Sequence, residues 1–521
     1  MTPRVARLLV TILAGVAVCT NGCGHYRPAL FADRPVVTVV NDDRPTRLPS
    51  RRTFDEREQL SDIYLRRPLF DVVRPLDFPT GGDVNAMDEV PTSTWYDPGQ
   101  TAAGPSEPAL APPTLPLFAL DDTPAIHEDA LVVRDARGMR YELLADPPEK
   151  LGLLTGAEVL GGYLLRALGL RAPRAWMLGI SDSAIISDVP KAAPRLERWT
   201  RRKSATVRGL RRVSATRWPN GIDVGIASDF SVRDDDPNDT VEHHDRRTLR
   251  ATIIFAHWMA WSAFNVRSTR DVYVGKVGDG HLEHFLVGTS GAFGTQDLQA
   301  DPVRDEAAGS VWWNLVTLGL SPPVVSPTRR SPFPSLGYLP STLEPGSFKV
   351  SPPYSPFVRL TPPDEYWAAK RLVDAGDEAL RTGIAAAQLP EDAARHLTAV
   401  LESRRRMLVA HAMSVVSPLE VTTVTGRSVL LRDRAIAAGV ADARDTQYDI
   451  AFLDADGREQ SARRRVPAAG ELLTVALPEP LVAGLVVVEV RAVRGGLRAA
   501  RACDVHVIAD RGSARIIGLR H

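Results

Sequence analysis

The chain is short of cysteine, of charge of one sign and of long apolar runs. Only three cysteines occur in 521 residues, and two of them, Cys19 and Cys23, belong to the N-terminal leader region. Cys503 is then alone, so a mature chain can build no intrachain disulfide framework unless Cys23 stays a free thiol. Cys503 sits in an apolar, strand-like run and reads as a buried core thiol. Lys+Arg and Asp+Glu both number 63, for a formal net charge of zero. The basic surplus of a nucleic-acid binder is missing, and no nucleic-acid partner is expected. The apolar stretch Leu8 to Val18 is too short for a comfortable transmembrane helix. The sequence contains no Gly-x-Ser-x-Gly, no Walker A and no Rossmann fingerprint, and its Ser and His spacing favours no hydrolase. No repeat recurs at solenoid spacing.

What is there is ordinary globular material, 44% hydrophobic and 24% charged, long enough for two to four domains and a substantial core. Arg4 and Arg7 precede the apolar stretch Leu8 to Val18, the order of a signal peptide. Asn21-Gly22-Cys23 follows and resembles the bacterial lipoprotein signal, in which the cysteine becomes lipid-modified and N-terminal. Thr20 stands where the usual motif has leucine. Cys19 is the competing cysteine, but Val18 before it is bulkier than a signal peptidase prefers, so Cys23 is the expected lipidation site. A plain secretory signal cleaved nearby is the alternative.

Beyond the signal (1–23), the polar, Arg-, Asp- and Pro-rich residues 24–75 read as a tether with some short helix, and Ala102 to Pro116 as an exposed linker or strap. A core is expected over 76–417 and a small all-β domain over 418–521. Ala130 to Leu144 alternates as a hairpin about Asp135-Ala-Arg-Gly138. Asp146-Pro-Pro148 ends it, and Thr155 is placed to cap a helix that Gly169 closes. Residues 246–264 read as a buried helix. Asp271 to Val274 and His284 to Val287 read as strands around Gly278-Asp-Gly280. Residues 321–357 are Pro-rich and read as a surface wrap. Tyr366 to Ala387 and Ala393 to Val416 are amphipathic, and short strands follow Pro418.

The motifs Val84-Asn-Ala-Met-Asp-Glu-Val-Pro-Thr-Ser-Thr-Trp95, Arg134-Asp-Ala-Arg-Gly138, Asp146-Pro-Pro148, Thr155-Gly-Ala-Glu-Val159, Asp235-Asp-Pro-Asn-Asp239, Arg246-Arg247, Tyr366-Trp-Ala-Ala-Lys370 and Glu402-Ser-Arg-Arg405 occur in this order. Together they resemble a family of exported bacterial proteins with a protein-kinase-like core, distantly similar to HipA-type and spore-coat-type kinases. The resemblance covers most of the chain after about residue 80. It implies an α+β fold: a two-lobed kinase-like core, N-lobe about 126–225 and C-lobe about 226–417, with the all-β domain behind it.

A phosphotransferase of this kind needs a strand lysine on the nucleotide phosphates, a helix glutamate orienting it, a catalytic-loop acid, and Asn and Asp for Mg²⁺. The resemblance places Leu144 at the lysine, Ala263 at the acid, Ser268 at the Asn and Gly288 at the metal-binding Asp. Glu158 and Asp271 remain as cleft candidates. A glutamate without its lysine cannot orient ATP, and Mg²⁺ demands hard oxygen ligands at fixed geometry. Neither phosphotransfer nor any cofactor is therefore expected. A rewired kinase using Asp271, Asp279 or Asp297 is the alternative.

Asp234, Asp235, Asp236, Asn238 and Asp239 invite a metal reading. Asp-Pro-Asn-Asp is also turn chemistry, and ion pairs to Arg246 and Arg247 are expected to hold that turn on the buried helix; this structural role is preferred. His243-His244 and His281-x-x-His284 do not have zinc spacing, and on a strand the latter pair faces opposite ways. No metal is expected. Arg195 to Arg212 is a basic cluster around Trp199, suited to an anionic membrane or cell-wall polymer or simply to a solvated loop. The function expected is that of a lipid-anchored cell-envelope protein, kinase-like but without phosphotransfer, binding or scaffolding an envelope protein or ligand. A purely structural envelope lipoprotein is the other alternative, since Leu144 suits a closed, apolar cleft.

Overall fold

The computed structural model describes residues 42–55, 81–99, 111–121, 126–127, 129–295, 331–350, 352–478, 484–510 and 513–521, with isolated positions between 57 and 63. Cys23 and the expected signal segment lie outside the described residues, as does Asp297. The architecture is α+β, with several separate sheets.

The first sheet has seven strands. They are β1 (Leu117–Ala119), β2 (Leu131–Arg134), β3 (Arg140–Ala145), β4 (Ala175–Ile180), β5 (Ile185–Ile186), β6 (Thr206–Val207) and β7 (Leu210–Arg217). The order is β4-β7-β3-β2-β1-β5, with β6 on β7. The β2–β3 hairpin forms as its Asp-x-x-Gly spacing predicts. Gly138 takes φ +86°, and the buried Asp135 carboxylate accepts the amides of Arg137 and Met139. Helix α1 (Leu153–Ala167) connects β3 to β4, and α2 (Ala193–Arg201) lies on the sheet's other face, burying Trp199 and Ala192 against Tyr141, Leu143 and Val213.

Helix α1 starts two residues before Thr155 and is not capped by it. Its N-cap is Gly152 with φ +90°, and Asp146 reaches over from the end of β3 to accept the amides of Gly152, Leu154 and Thr155 at 2.8–2.9 Å. Thr155 instead donates its hydroxyl to Asp146 at 2.7 Å. One carboxylate thus satisfies several orphan donors of the helix start. Asp146→Ala is expected to cost about 2 kcal/mol, the upper range for a lost cap, read from urea unfolding. Gly169 ends the helix at φ +85°, and a Cβ there would stand 2.5 Å from the Tyr96 ring.

The second sheet is β8 (Ile222–Gly225), β9 (Thr269–Lys276) and β10 (Asp279–Leu286), in the order β10-β9-β8. Helix α3 (Arg247–Trp258) is shorter than its apolar pattern. The chain reverses at Ala260, φ +47°, and Trp261 and Phe264 join the core from the turn beyond. Helices α4 (Pro362–Ala387) and α5 (Glu391–Val415) pack against α1 and α3. Phe255, Leu372 and Leu401 are each at most 1% exposed, and burial of such a side chain contributes roughly 1.5–3 kcal/mol. Arg404 binds the terminal carbonyls of α3, Trp258 O at 2.9 Å among them. The irregular stretch 331–350 runs partly exposed, with Leu336, Leu339 and Val350 anchoring it in this core.

The C-terminal part is β-rich, as its alternation predicts. Strands β11 (Leu419–Thr425), β12 (Ser428–Asp433) and β15 (Leu472–Ala476) form one sheet. Strands β13 (Thr446–Leu453), β14 (Arg464–Pro467), β16 (Gly484–Arg494), β17 (Leu497–Arg498), β18 (Cys503–Asp510) and β19 (Ser513–Arg520) form the other. Their inner faces share one apolar core that includes Cys503, fully buried.

Two segments knit these bodies together. Residues 42–55, expected to belong to a free tether, lie against the second sheet: Thr46 N donates to Gly280 O at 2.7 Å and Arg52 N to Val224 O at 2.8 Å. Gly225, φ +98°, admits this strap, since a Cβ would sit 1.7 Å from Arg52 O. Residues 81–99 form the hub. Asp83 accepts the amides of Arg247 and Thr248 and so caps α3 from outside. Asp88 meets Arg247 and His521, and Glu89 meets Lys370, which also pairs with Glu420 at 2.9 Å.

Candidate functional site

The positions singled out by the kinase resemblance fall into two polar clusters and one apolar turn. The first cluster begins on β3. Period-two alternation sends Tyr141 and Leu143 to the α2 side, leaving Glu142 and Leu144 on the other face with Thr216 and Ser214 of β7, which pair with them. Leu144 is 4% exposed, a buried apolar residue at the lysine position. Glu158 of α1 is equally buried.

Among the described residues, no lysine meets Glu158. His127, just before β2, does. Its Nδ1 is 2.6 Å from Glu142 Oε1, and its Nε2 is 2.8 Å from Ser290 Oγ and 3.6 Å from Glu158 Oε2. The amides of Ile126 and His127 also donate to the Glu142 carboxylate, at 2.6 and 3.1 Å. Glu158 in turn accepts the Ser290 amide at 2.7 Å and the hydroxyls of Thr289 and Thr216 at 3.3 and 3.4 Å. Gly288 takes φ +79° beside this group, where a Cβ would lie 3.5 Å from Ile126 and 4.0 Å from His127 Nε2. The segment after β10 is thereby tucked under α1.

Burial opposes charge on His127. The carboxylate of Glu158, then the hydrogen bond and charge of Glu142, outweigh it and push the imidazole up to about 9. Burial raises the Glu158 carboxyl, with His127 acting against the rise. The two carboxyl groups flank the ring and favour its charged form. The Ser290–His127–Glu142 chain has the connectivity of a nucleophile, base and orienting acid, but a protonated imidazole cannot take a proton from Ser290.

The second cluster is built on the Asp-Pro-Asn-Asp turn. Arg233, fully buried, donates to Asp271 at 2.8 Å, to Asp235 at 2.9 Å and to Ser50 O of the strap. Asp235 also accepts the Ser50 amide and hydroxyl. Asp239 accepts the Arg233 amide, Arg246 and His243, each at 2.7 Å. Asp236 caps the amide of Asn238, whose side chain reaches Arg44 O. Asp271 holds His284 Nδ1 at 2.8 Å, directly across the β9–β10 pair. Trp95 stacks on His284 with centroids 4.0 Å apart and meets His243 edge-on at 4.9 Å. Burial works against ionisation of Asp239 and Asp271, yet the histidines and arginines around them hold both carboxyls below the usual range.

These contacts occupy three carboxylates of the cluster. Both oxygens of Asp235, Asp239 and Asp271 already face guanidinium, imidazole, amide or hydroxyl donors, so a cation would have to displace ion pairs. Arg246 reaches the turn. Arg247 does not: it pairs with Asp88 at 2.9 Å and Asp364 at 3.0 Å, because α3 rotation carries consecutive residues to different sides. Among the described residues Glu242, His244 and Asp245 also converge, but Asp245 Oδ1 is shared by Arg250 and Arg359.

The third group carries no acid. Ala263 packs on the core, and Asn265 turns its side chain to Ala263 O and the Arg267 amide. Ser268 Oγ returns to Asn265 N, closing a capping box. Sequence reasoning missed His127, Glu142, Thr289 and Ser290. Glu142 alone left a signal, a charge inside the apolar strand Tyr141 to Leu144. No protein-family model matches this chain, and no curated protein matches it.

Proposed function

We propose that this protein has a kinase-like core without phosphotransfer and acts as a binding or scaffolding protein of the bacterial cell envelope, anchored through a lipid on Cys23. The order β2, β3, α1, with β7 returning beside β3, fits the N-lobe that the resemblance implies. One observation carries the reading: the Glu158 carboxylate is taken up by His127, Ser290 and Thr289 of its own chain. A nucleotide-holding lysine has no counterpart there, and Asp271 is locked between Arg233 and His284.

A purely structural role is the second reading, favoured by how full the interior beside α1 is. The cavity lined by Gly156, Leu160, Phe293 and Leu336 measures only about 10 Å³. Calorimetry of ATP with Mg²⁺ or Mn²⁺ on the chain from residue 24 tests both against an active kinase. No heat at millimolar nucleotide is expected. Metal-dependent binding that disappears in Glu158→Ala would overturn them.

A further inference from the structure

The structure turns one part of the basic cluster inward and leaves the rest outward. Arg211 lies 4.5 Å over the buried Trp199 ring and pairs with Asp182, and Arg212 bonds Ala387 O and Gln388 O. Arg211 fixes the base of the β6–β7 hairpin against the end of α2, and Arg212 ties β7 to the end of α4. Arg198, Arg201, Arg202, Lys203 and Arg208 are exposed around that hairpin. Residues 191–208 hold seven basic groups against one acid, Glu197, in a chain of zero net charge. Arg201 pairs with Glu197 and Arg202 with Asp129, both at exposed positions where such pairs contribute little. Arg198, Lys203 and Arg208 make no ion pair among the described residues.

The hairpin tip has a second, separate property. Arg208 and Gly209 both take positive φ, +51° and +76°, the two-residue turn that matches strand twist. It sets Val207 directly opposite Leu210, and both are about 40% exposed. An apolar pair is thus held at a rigid tip ringed by cations. A soluble polyanion would need the cations alone. A lipid surface uses both, the charges against anionic headgroups and the apolar tip at the acyl boundary.

We infer that this face, the end of α2 with the β6–β7 hairpin, docks on an anionic phospholipid bilayer. It does so without help from acylation of Cys23, so the lipid-free chain from residue 24 tests it separately from the anchor. Flotation is measured with phosphatidylcholine vesicles, with vesicles containing 30% phosphatidylglycerol, and with soluble polyglycerol phosphate as competitor. Binding to the anionic and not to the neutral vesicles is expected, weakened strongly at 0.5 M salt, where the screening length falls to about 4 Å. Lys203→Glu with Arg208→Glu is expected to lower partitioning at least roughly 30-fold. Val207→Ser with Leu210→Ser is expected to weaken vesicle binding while leaving binding to the soluble polymer unchanged. Circular dichroism melts check that both variants fold. Equal binding to neutral vesicles, no vesicle binding, or indifference of vesicle binding to the apolar pair would each overturn the inference.

Discussion

Arg247→Ala is expected to lose about 3–5 kcal/mol of stability, the cost of orphaning buried carboxylates. The Arg247 side chain is 1% exposed and joins Asp88 Oδ1 at 2.9 Å, Asp364 Oδ1 at 3.0 Å and Asp88 O at 2.6 Å. Asp88 also holds His521 at 2.9 Å, so this residue couples α3 to the end of the β-rich part. Burial opposes ionisation of Asp88, but Arg247 first, then His521 and Arg520, hold its carboxyl well below the usual range. A depressed carboxyl stabilises the fold above its unfolded pKa of about 4 and loses that contribution as pH falls toward its folded value. The gap between wild type and Arg247→Ala should therefore be widest near pH 7 and shrink below about pH 4, where the orphaned Asp88 takes a proton. Urea unfolding at both pH values measures it. Arg247→Lys should recover only part, because a compact ammonium lacks the planar fork whose separate nitrogens reach Asp88 and Asp364. A loss below about 1 kcal/mol at pH 7 would contradict this account.

His127→Phe is expected to cost on the order of 3 kcal/mol at pH 7, although it keeps a ring in place. The folded-state pKa of His127, about 9, stands above the free value of 6.5. Its stabilisation is complete below pH about 6.5 and fades as pH climbs through about 9. Wild type should lose about 3 kcal/mol across that window through this residue. The variant should not show this slope, since Glu142 and Glu158 no longer face a titrating cation. His127→Lys should retain part of the neutral-pH stability by supplying a charge from the same loop. Equal slopes for wild type and His127→Phe would show that the imidazolium is not what holds the two carboxylates.

Local chemistry was readable where it is self-contained. The Asp135–Gly138 hairpin, the Gly169 helix end, and the long helices α4 and α5 follow from turn residues and apolar periodicity within each segment. So does the strand alternation after Pro418. Boundaries that depend on distant partners were not readable. Residues 246–264 carry one apolar pattern, but the helix stops at Trp258 because Arg404 of α5 takes its last carbonyls. Thr155 looked like a cap, yet Asp146 fills that role across six or more residues. Residues 42–55 have tether composition, and the Gly225 gap, the edges of β8 and β10 and the Asp-Pro-Asn-Asp turn make them a packed strap.

The candidate site divides in the same way. By itself the sequence determined that Leu144, Ala263, Ser268 and Gly288, the positions the resemblance singles out, are neither lysine nor acid, since residue identity settles ligand chemistry. It also determined the zero net charge and the local basic cluster. Only the tertiary structure decided what surrounds Glu158. His127 lies 31 residues before Glu158 and 163 before Ser290, and nothing in spacing announces their meeting. The inward turn of Arg211 and Arg212, the division of Arg246 and Arg247 between two networks, and the exposed Val207–Leu210 pair were likewise decided by packing. Charge and apolarity are properties of a residue, whereas the partner that neutralises or buries it is a property of the fold.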